Sequence, residues 1–373
     1  RTKAGERAGT GMSEFSSELI SVVIPNYNGS DYLRACLDSV LAGSLVPKII
    51  VVDNGSSDCS CEMVEKEYPQ VLLLRLKANT GFCHAVNAGL HLVRTPYAML
   101  LNNDTSVDRD CLQKLLCAME KRPSCFAVQA LMLSMKEPDR IDDDGDLYNA
   151  LGWAFARHKN AEKGKAAAAP LFAACAGAAL YRMSVFEEIG WFDERHYCYL
   201  EDLDIGWRAQ IFGHRSYLEP GAEVFHAGSA TAGGKYSDFK EVMTAGNNAL
   251  LQYKNMPFLQ YWLNAPLRSL GTAVKKAYFT RKGLGDAYAE GIRRGEFLKA
   301  SCAEYTECIR YGIPYKKCSI PQEAGFPEQK EDLMEVLPIY LGRKIPFEWR
   351  HFPHYLSIQG QLLAGLFRRR PSV

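Results

Sequence analysis

Residues 21–58 read SVVIPNYNGSDYLRACLDSVLAGSLVPKIIVVDNGSSD. Two β-branched apolar runs, 19–24 and 48–52, end abruptly on the polar turns Pro25-Asn26-Tyr27-Asn28 and Asp53-Asn54-Gly55-Ser56. Between them, apolar residues at 33, 37, 40 and 41 recur at helical spacing. The alternation continues. Helical patterns cover 63–68, 85–93 and 112–119, and apolar runs cover 71–76 and 97–101. Continuous apolar strands between amphipathic helices predict a parallel sheet with helices on both faces, an α/β architecture. In such sheets ligands bind beyond the carboxyl ends of the strands. The turns that follow the strands therefore form the candidate site. Besides the two above they are Asn79-Thr80-Gly81 and Asn102-Asn103-Asp104.

Further along, helical patterns return at 183–189 and at 201–212, where Glu201, Asp202 and Asp204 open the helix. A strand is expected over 215–218, and His226 follows Val224-Phe225. The uncharged stretch 166–180 is interrupted by Pro170 and reads as a loop and a buried strand. RIDDDGD at 140–146 invites a calcium-loop reading. With Gly145 at the sixth position, however, Arg140 and Leu151 would fall on the first and twelfth ligand positions, so a polar turn is expected instead. Helical spacing dominates from 239 onward. We expect a polar tail over 1–17 with Met12 as the natural start, an α/β domain over 18–250 and a helical region over 251–373.

Composition excludes several classes. The 373 residues carry a net charge of +1, which gives no electrostatic case for nucleic acid. Twelve cysteines contain no Cys-x-x-Cys pair, so buried reduced thiols in a cytoplasmic protein are expected rather than zinc. The first turn lacks the G-x-G-x-x-G of a dinucleotide site, and no phosphate-binding P-loop is present. No apolar run reaches the ~20 residues of a membrane span.

Five segments bring a resemblance: SVVIPNYNGSDYLRACLDSV, IIVVDNGSSD, NTGFCHAVNAGL, LLNNDTSV, and GWFDERHYCYLEDLDIGWRAQIFGHRSYLEPGAEVFHAGS. In this order and spacing, over residues 21–229, the chain resembles the inverting family 2 glycosyltransferases of the GT-A fold, and most of all their bacterial rhamnosyltransferase-like branch. The resemblance implies that the 18–250 domain is catalytic, with a nucleotide-binding half, 18–105, and an acceptor and catalytic half, 106–250. It implies a hexosyltransferase acting in cell-surface polysaccharide synthesis. Its donor would be a nucleotide-diphosphate sugar and its acceptor a glycan or lipid-linked sugar. Pro25, Tyr27 and Asn28 would line the nucleotide pocket, with Asp53 on the base and Asp58 shaping the loop. Asn79, Gly81 and Asn87 would surround nucleotide and ribose, and Gly177 would lie near the donor sugar. Asn102-Asn103-Asp104 takes the D-x-D position: Asp104 and His226 would hold Mg2+ or Mn2+, with Asn102 supporting and Asn103 toward the donor. An amide in the first D-x-D position removes one negative charge from the metal site, and an imidazole ligand favours manganese. Asp202 would be the general base, kept ionised by the helix N-terminus, with Glu201 and Asp204 supporting it. The alternative is a catalytically weak sugar-nucleotide-binding or assembly module.

The segment 256–299 mixes aromatic bulk with cations. Residues 268–299 hold eight Lys/Arg against three Asp/Glu. With the tail 362–370 it suggests peripheral contact with the inner face of a membrane, against which stands packing on the catalytic core or within a homodimer.

Overall fold

The computed structural model describes residues 17–228, 237–311 and 340–367. Its centre is a sheet built on four parallel strands, β1 (Ile20–Asn26), β2 (Lys48–Asp53), β3 (Leu72–Arg75) and β4 (Tyr97–Leu101). The helices α1 (Ser30–Leu41), α2 (Ser60–Glu67) and α3 (Phe82–Leu92) connect them. Alternate residues of each strand face opposite layers. Val22, Ile24, Ile49 and Val51 pack with Leu33, Leu37 and Val64 of α1 and α2. Val23, Ile50 and Val52 pack with Ala85, Val86 and Leu90 of α3.

Proline was expected to stop β1, yet the strand continues to Asn26. The reason is its neighbours. β4 pairs with β1 only as far as Val23, so beyond that point β1 is an edge on one side, where a missing N–H is tolerated. On the other side, register with β2 runs to Asn26 opposite Asp53 and brings the two polar turns together.

The second half extends the sheet past β4. After β5 (Thr105–Val107) and α4 (Cys111–Glu120) comes a strand that the sequence reading did not assign, β6 (Cys125–Ser134), and it is almost wholly buried. Next come β7 (Ile141–Asp143), β8 (Asp146–Tyr148), β9 (Ala154–Ala156), β10 (Ala169–Leu171), β11 (Ala178–Arg182), α5 (Met183–Ile189), α6 (Glu201–Ile211) and β12 (Arg215–His226). The sheet order is β10-β12-β6-β11-β4-β1-β2-β3; β5 pairs with β12 and β7 with β6, while β8 and β9 form a separate hairpin. β11 lies antiparallel between β4 and β6, so the sheet is mixed but mostly parallel. β12 is far longer than the four residues expected. A register shift between Glu219 and Glu223 lets it run on past Pro220-Gly221 to His226.

The C-terminal part is helical: α7 (Asp238–Asn255), α8 (Phe258–Leu263), α9 (Ala265–Arg281), α10 (Gly285–Tyr311) and α11 (Phe352–Ala364). Residue 250, where the sequence pattern changes, lies inside α7. That helix is shared. Leu251 and Met256 join Leu203, Trp207 and Ile211 of α6 and Tyr355, Ile358 and Leu362 of α11 in one core. No helix among the described residues is long and apolar enough to cross a membrane, and the described cysteines are free thiols, most of them buried.

Candidate active site

The carboxyl edge of the sheet is a network of amides. Asn26 donates from Nδ2 to Asp53 Oδ1 (3.0 Å) and to Ser60 Oγ (2.9 Å), and its Oδ1 accepts from Asn103 Nδ2 (2.8 Å). Gly29 permits this, since a Cβ there would collide with the Asn26–Asn103 pair. Asp53 Oδ2 accepts from the Ser56 amide (3.0 Å), so both carboxylate oxygens are turned into the protein and the residue is buried. Asn28, at φ 49°, accepts from the Ser57 amide (2.8 Å), and Tyr27 beside it is exposed. Asp58 accepts from the amides of Ser30 and Ser60. Burial raises the Asp58 carboxyl, but these bonds outweigh it and bring it below its ordinary value.

The third turn lies against the second. Asn79 Oδ1 accepts from Asn54 Nδ2 (3.1 Å), the Gly81 amide (3.0 Å) and the Tyr197 hydroxyl (3.1 Å). Gly81 sits at φ 89°, and a Cβ would come within 2.5 Å of the Tyr197 ring, so only glycine fits. Asn87 is not brought to this pocket. It is buried in α3, donating to the Phe192 carbonyl (2.8 Å) and Glu194 Oε1 (2.9 Å) and accepting from the Phe192 amide. Its amide is consumed in fixing the 192–194 segment, which leaves none of it for a ribose.

Asn102, Asn103 and Asp104 follow β4, with the Asn102 amide on the Gly177 carbonyl (2.9 Å). Pairing of β5 with β12 sets His226 opposite Thr105. His226 then lies between two carboxylates: Nε2 is 3.2 Å from Asp104 Oδ1, and Nδ1 is 2.7 Å from Asp142 Oδ2. Burial opposes protonation of the ring, but hydrogen bonds to Asp104 and Asp142 outweigh it and raise His226 to about 9. Asp142, despite burial, is held down to about 2 by His226 and Lys159. Among the described residues no group of three His, Cys, Asp or Glu side chains forms a ready-made metal cage. The donor set still suits a divalent cation. Protonated, the ring gives Nε2–H to Asp104; a divalent cation would replace that proton, with Asp142 keeping Nδ1–H and leaving Nε2 and Asp104 as its ligands.

Asp202 opens α6 and accepts from the Leu203 amide (2.7 Å). Its environment differs from the one expected. Burial raises its carboxyl, and backbone amides offset this only in part. A hydrogen bond joins it to Asp146, whose own carboxyl is pushed well above the ordinary range by burial and by the Asp202 charge. For Asp202 desolvation thus outweighs the helix N-terminus, while burial together with the Asp202 charge raises Asp146. Glu201, buried beside it, is raised to about 8 by burial and Asp202, and its Oε2 has no hydrogen-bond partner.

Asp204 has a structural role. It is fully buried and accepts from Arg208 (3.0 and 3.1 Å), Lys254 (2.7 Å) and Asn255 (2.9 Å). Lys254 also donates to Asp193 Oδ2 (2.7 Å), and Arg195 grips the same carboxylate. Burial works against both carboxylates, but their cations win and hold them below the ordinary range.

The turn before α6 is strained. Tyr197, Tyr199 and Leu200 have φ of 61°, 72° and 65°, values that L side chains rarely adopt. Asn247 of α7 holds them, with Nδ2 at 2.8, 2.8 and 2.7 Å from the carbonyls of His196, Cys198 and Tyr199. Arg294 of α10 donates to Asn247 Oδ1 (2.6 Å) and to the Arg195 carbonyl (3.0 Å). Sequence reasoning missed Asp142, Asp146 and Asn247. The RIDDDGD run was a visible signal, since only polar work explains so many acids in one turn, but nothing local identified Asp202 and His226 as their partners.

The family model described as glycosyl transferase family 2 matches residues 21–190 of this chain. The chain is 27% identical over 239 residues to the N-acetylglucosaminyl-diphospho-decaprenol L-rhamnosyltransferase of Mycobacterium tuberculosis, covering 56% of this chain and 76% of that one. It is 25% identical to the poly-beta-1,6-N-acetyl-D-glucosamine synthase of Staphylococcus aureus, covering 63% of this chain and 56% of that protein. Among solved structures it is similar to GalNAc-T7 with UDP, GalNAc and Mn2+, at a TM-score of 0.48 and 15% identity over 60% of this chain and 48% of that chain.

Proposed function

We propose that this glycosyltransferase is metal-assisted and inverting. It would move a sugar of the rhamnose class from a nucleotide diphosphate to a hydroxyl of a lipid-linked or glycan acceptor in cell-surface polysaccharide synthesis. The observation that supports the reading is the Asp104–His226 contact that follows β4, next to the amide network of the strand-end turns, with Asp202 at the start of α6 as the candidate base. The lipid-linked acceptor is supported by the rhamnosyltransferase similar to it.

The walls formed by Pro25, Tyr27, Asn28 and the Asn79–Gly81 turn would enclose the nucleotide, with Asp53 shaping the base pocket from behind. Asn103 and Gly177 would border the donor sugar. Asp104 and His226 would hold a Mg2+ or Mn2+ ion, which supplies charge neutralisation of the departing diphosphate. Asp142 presents the imidazole. The acceptor oxygen attacks the anomeric carbon from the side opposite the diphosphate. As the new C–O bond forms and the C–O bond to phosphate breaks, Asp202 takes the acceptor proton. Asp146, hydrogen-bonded to Asp202, orients it.

A thermal-shift series with UDP, dTDP and GDP, each with and without Mn2+, tests the reading. A ligand at 100 times its Kd adds about 2.7 kcal/mol of stability. One nucleotide is expected to shift the melting point strongly, more with Mn2+, and Asp104→Ala is expected to lose the Mn2+ increment. Negligible shifts with all three would overturn the reading.

A further inference from the structure

The C-terminal helices carry an apolar surface that the fold leaves unused. α11 has two apolar stripes where a surface helix ordinarily has one. Tyr355, Ile358 and Leu362 point inward onto Trp207 and Ile211 of α6. Phe352, Leu356, Leu363 and, past the helix end, Phe367 point outward, with Leu356 58% and Phe367 87% exposed. At about 100° per residue these four fall within roughly 60° of one another. α8 adds Phe258, Leu259, Trp262 and Leu263, of which Leu259 is 78% exposed.

Amide hydrogen bonds join α11 to α8 and to the residue that precedes α9. Gln359 of α11 accepts from Gln260 (3.0 Å) and Asn264 (2.8 Å) and donates back to Asn264 (3.0 Å). Exposed Trp349 extends the surface through ring contacts with Phe347 and Phe352 at 5.2 and 5.6 Å.

Charge decides what covers it. No Asp or Glu occurs in 258–282 or in 352–367, while Arg268, Lys275, Lys276, Arg281 and Lys282 line the stretch that continues from α8 through α9. Lys276, Arg281 and Lys282 are exposed. Leu270 and Val274 of α9 are exposed among these cations. Glu348, the one acid within 347–356, is already paired with Arg350, so a second copy docked on this face would bring two cationic borders into one interface with no unpaired acid there to offset them. An apolar centre with Trp at its edge and a cationic border suits the headgroup layer of an anionic bilayer.

We propose that α8, α9 and α11 form a peripheral docking face for an anionic lipid surface. It is narrower than the 256–299 segment that the sequence suggested. α10 is not part of it, because that helix packs along α7, and its Arg293 and Lys299 pair with Glu290 and Glu296. The face gains 347–356, which the sequence did not point to. Of the 362–370 tail, Leu363 and Phe367 belong to it, and 368–370 lie outside the described residues. The helices would lie on the surface rather than span it, placing the enzyme where a lipid-linked acceptor is found.

Vesicle flotation of the full chain tests this. Vesicles of phosphatidylcholine alone are compared with vesicles containing phosphatidylglycerol, at low and high salt. Wild type is expected to float with the anionic vesicles, and to do so less at high salt. The triple variant Leu259→Glu, Leu356→Glu, Phe367→Glu changes only exposed side chains. It is expected to keep its melting temperature and its transfer to a water-soluble acceptor, and to lose vesicle binding by about tenfold or more. Lys276→Glu with Lys282→Glu is expected to weaken binding to anionic vesicles selectively. Wild type that does not float with anionic vesicles at low salt overturns the proposal. So does a dimer in sedimentation that Leu356→Glu dissociates while vesicle binding is unchanged. The transfer assay in solution keeps this outcome separate from failure of the enzymatic reading.

Discussion

Replacing Asn247 with alanine should damage the enzyme far more than one amide suggests. The Nδ2 group serves three carbonyls of the left-handed segment before α6, and Oδ1 takes the Arg294 guanidinium at 2.6 Å. Asn247, His196 and Arg294 are buried. Alanine strands at least two carbonyls and one guanidinium N–H, each worth about 1–3 kcal/mol when left unpaired. It also frees a backbone whose positive φ values store about 1–3 kcal/mol each, and relaxation of that strain returns part of the loss. The net expectation is a destabilisation of about 3–4 kcal/mol. At roughly 2–4 °C per kcal/mol, the melting temperature should fall by about 6–16 °C. Below that temperature the relaxed segment shifts the start of α6, where Asp202 sits. Transfer should drop about tenfold to a hundredfold with donor affinity nearly unchanged. Asn247→Asp keeps the Arg294 contact but not the donors, so it should fall between wild type and alanine. Thermal unfolding followed by circular dichroism, with donor titration and single-turnover transfer, measures all three quantities. A melting point within 2 °C or so of wild type, with full transfer, would refute the idea that α7 holds the catalytic turn.

Asp142→Asn should weaken Mn2+ binding by about 10- to 100-fold, because His226 loses the carboxylate that orients it; calorimetric Mn2+ titration in the presence of the nucleotide reads this, and unchanged affinity would argue against His226 as a ligand. Glu201→Gln should show a pH signature in stability. Glu201 rises from an ordinary 4.5 to about 8 in the fold, so between those values the native state holds a proton that the unfolded chain has released. Wild-type stability therefore falls as pH rises through this window, by up to about 1.4 kcal/mol per unit, and levels off above 8. The glutamine variant lacks this loss, so its stability relative to wild type should climb from pH 5 to pH 8; parallel urea curves across that range would contradict the buried, protonated glutamate.

The first four strands were legible because each is a continuous apolar run that ends on Asn, Asp or Gly, and alternation between layers follows from β geometry alone. The candidate residues on the strand-end turns were legible for the same reason. β6 was missed although CFAVQALMLS is as apolar as β1, because its neighbours β11 and β12 arrive about fifty and ninety residues later and leave no local trace. Asn87 was read as a ligand contact because it follows an N-x-G-F segment. Only the fold shows its amide spent on Phe192 and Glu194. The acids of 140–146 were visible as a cluster, but their meaning lies in partners 56 to 84 residues away, His226 for Asp142 and Asp202 for Asp146. Charge state was the least legible. A helix N-terminus argues for a lowered Asp202 carboxyl, and only the desolvation of Asp146, Glu201 and Asp202 together turns the shift upward.

The central claim is that Asp202 is the base. Asp202→Asn keeps the size of the side chain and an acceptor for the Leu203 amide, but it cannot take a proton. Single-turnover transfer with donor affinity titrated separately is the direct measurement. The account predicts a fall in kcat of about 10²- to 10⁴-fold with donor Kd near that of wild type. Transfer at the wild-type rate, or a loss confined to donor binding, would contradict it.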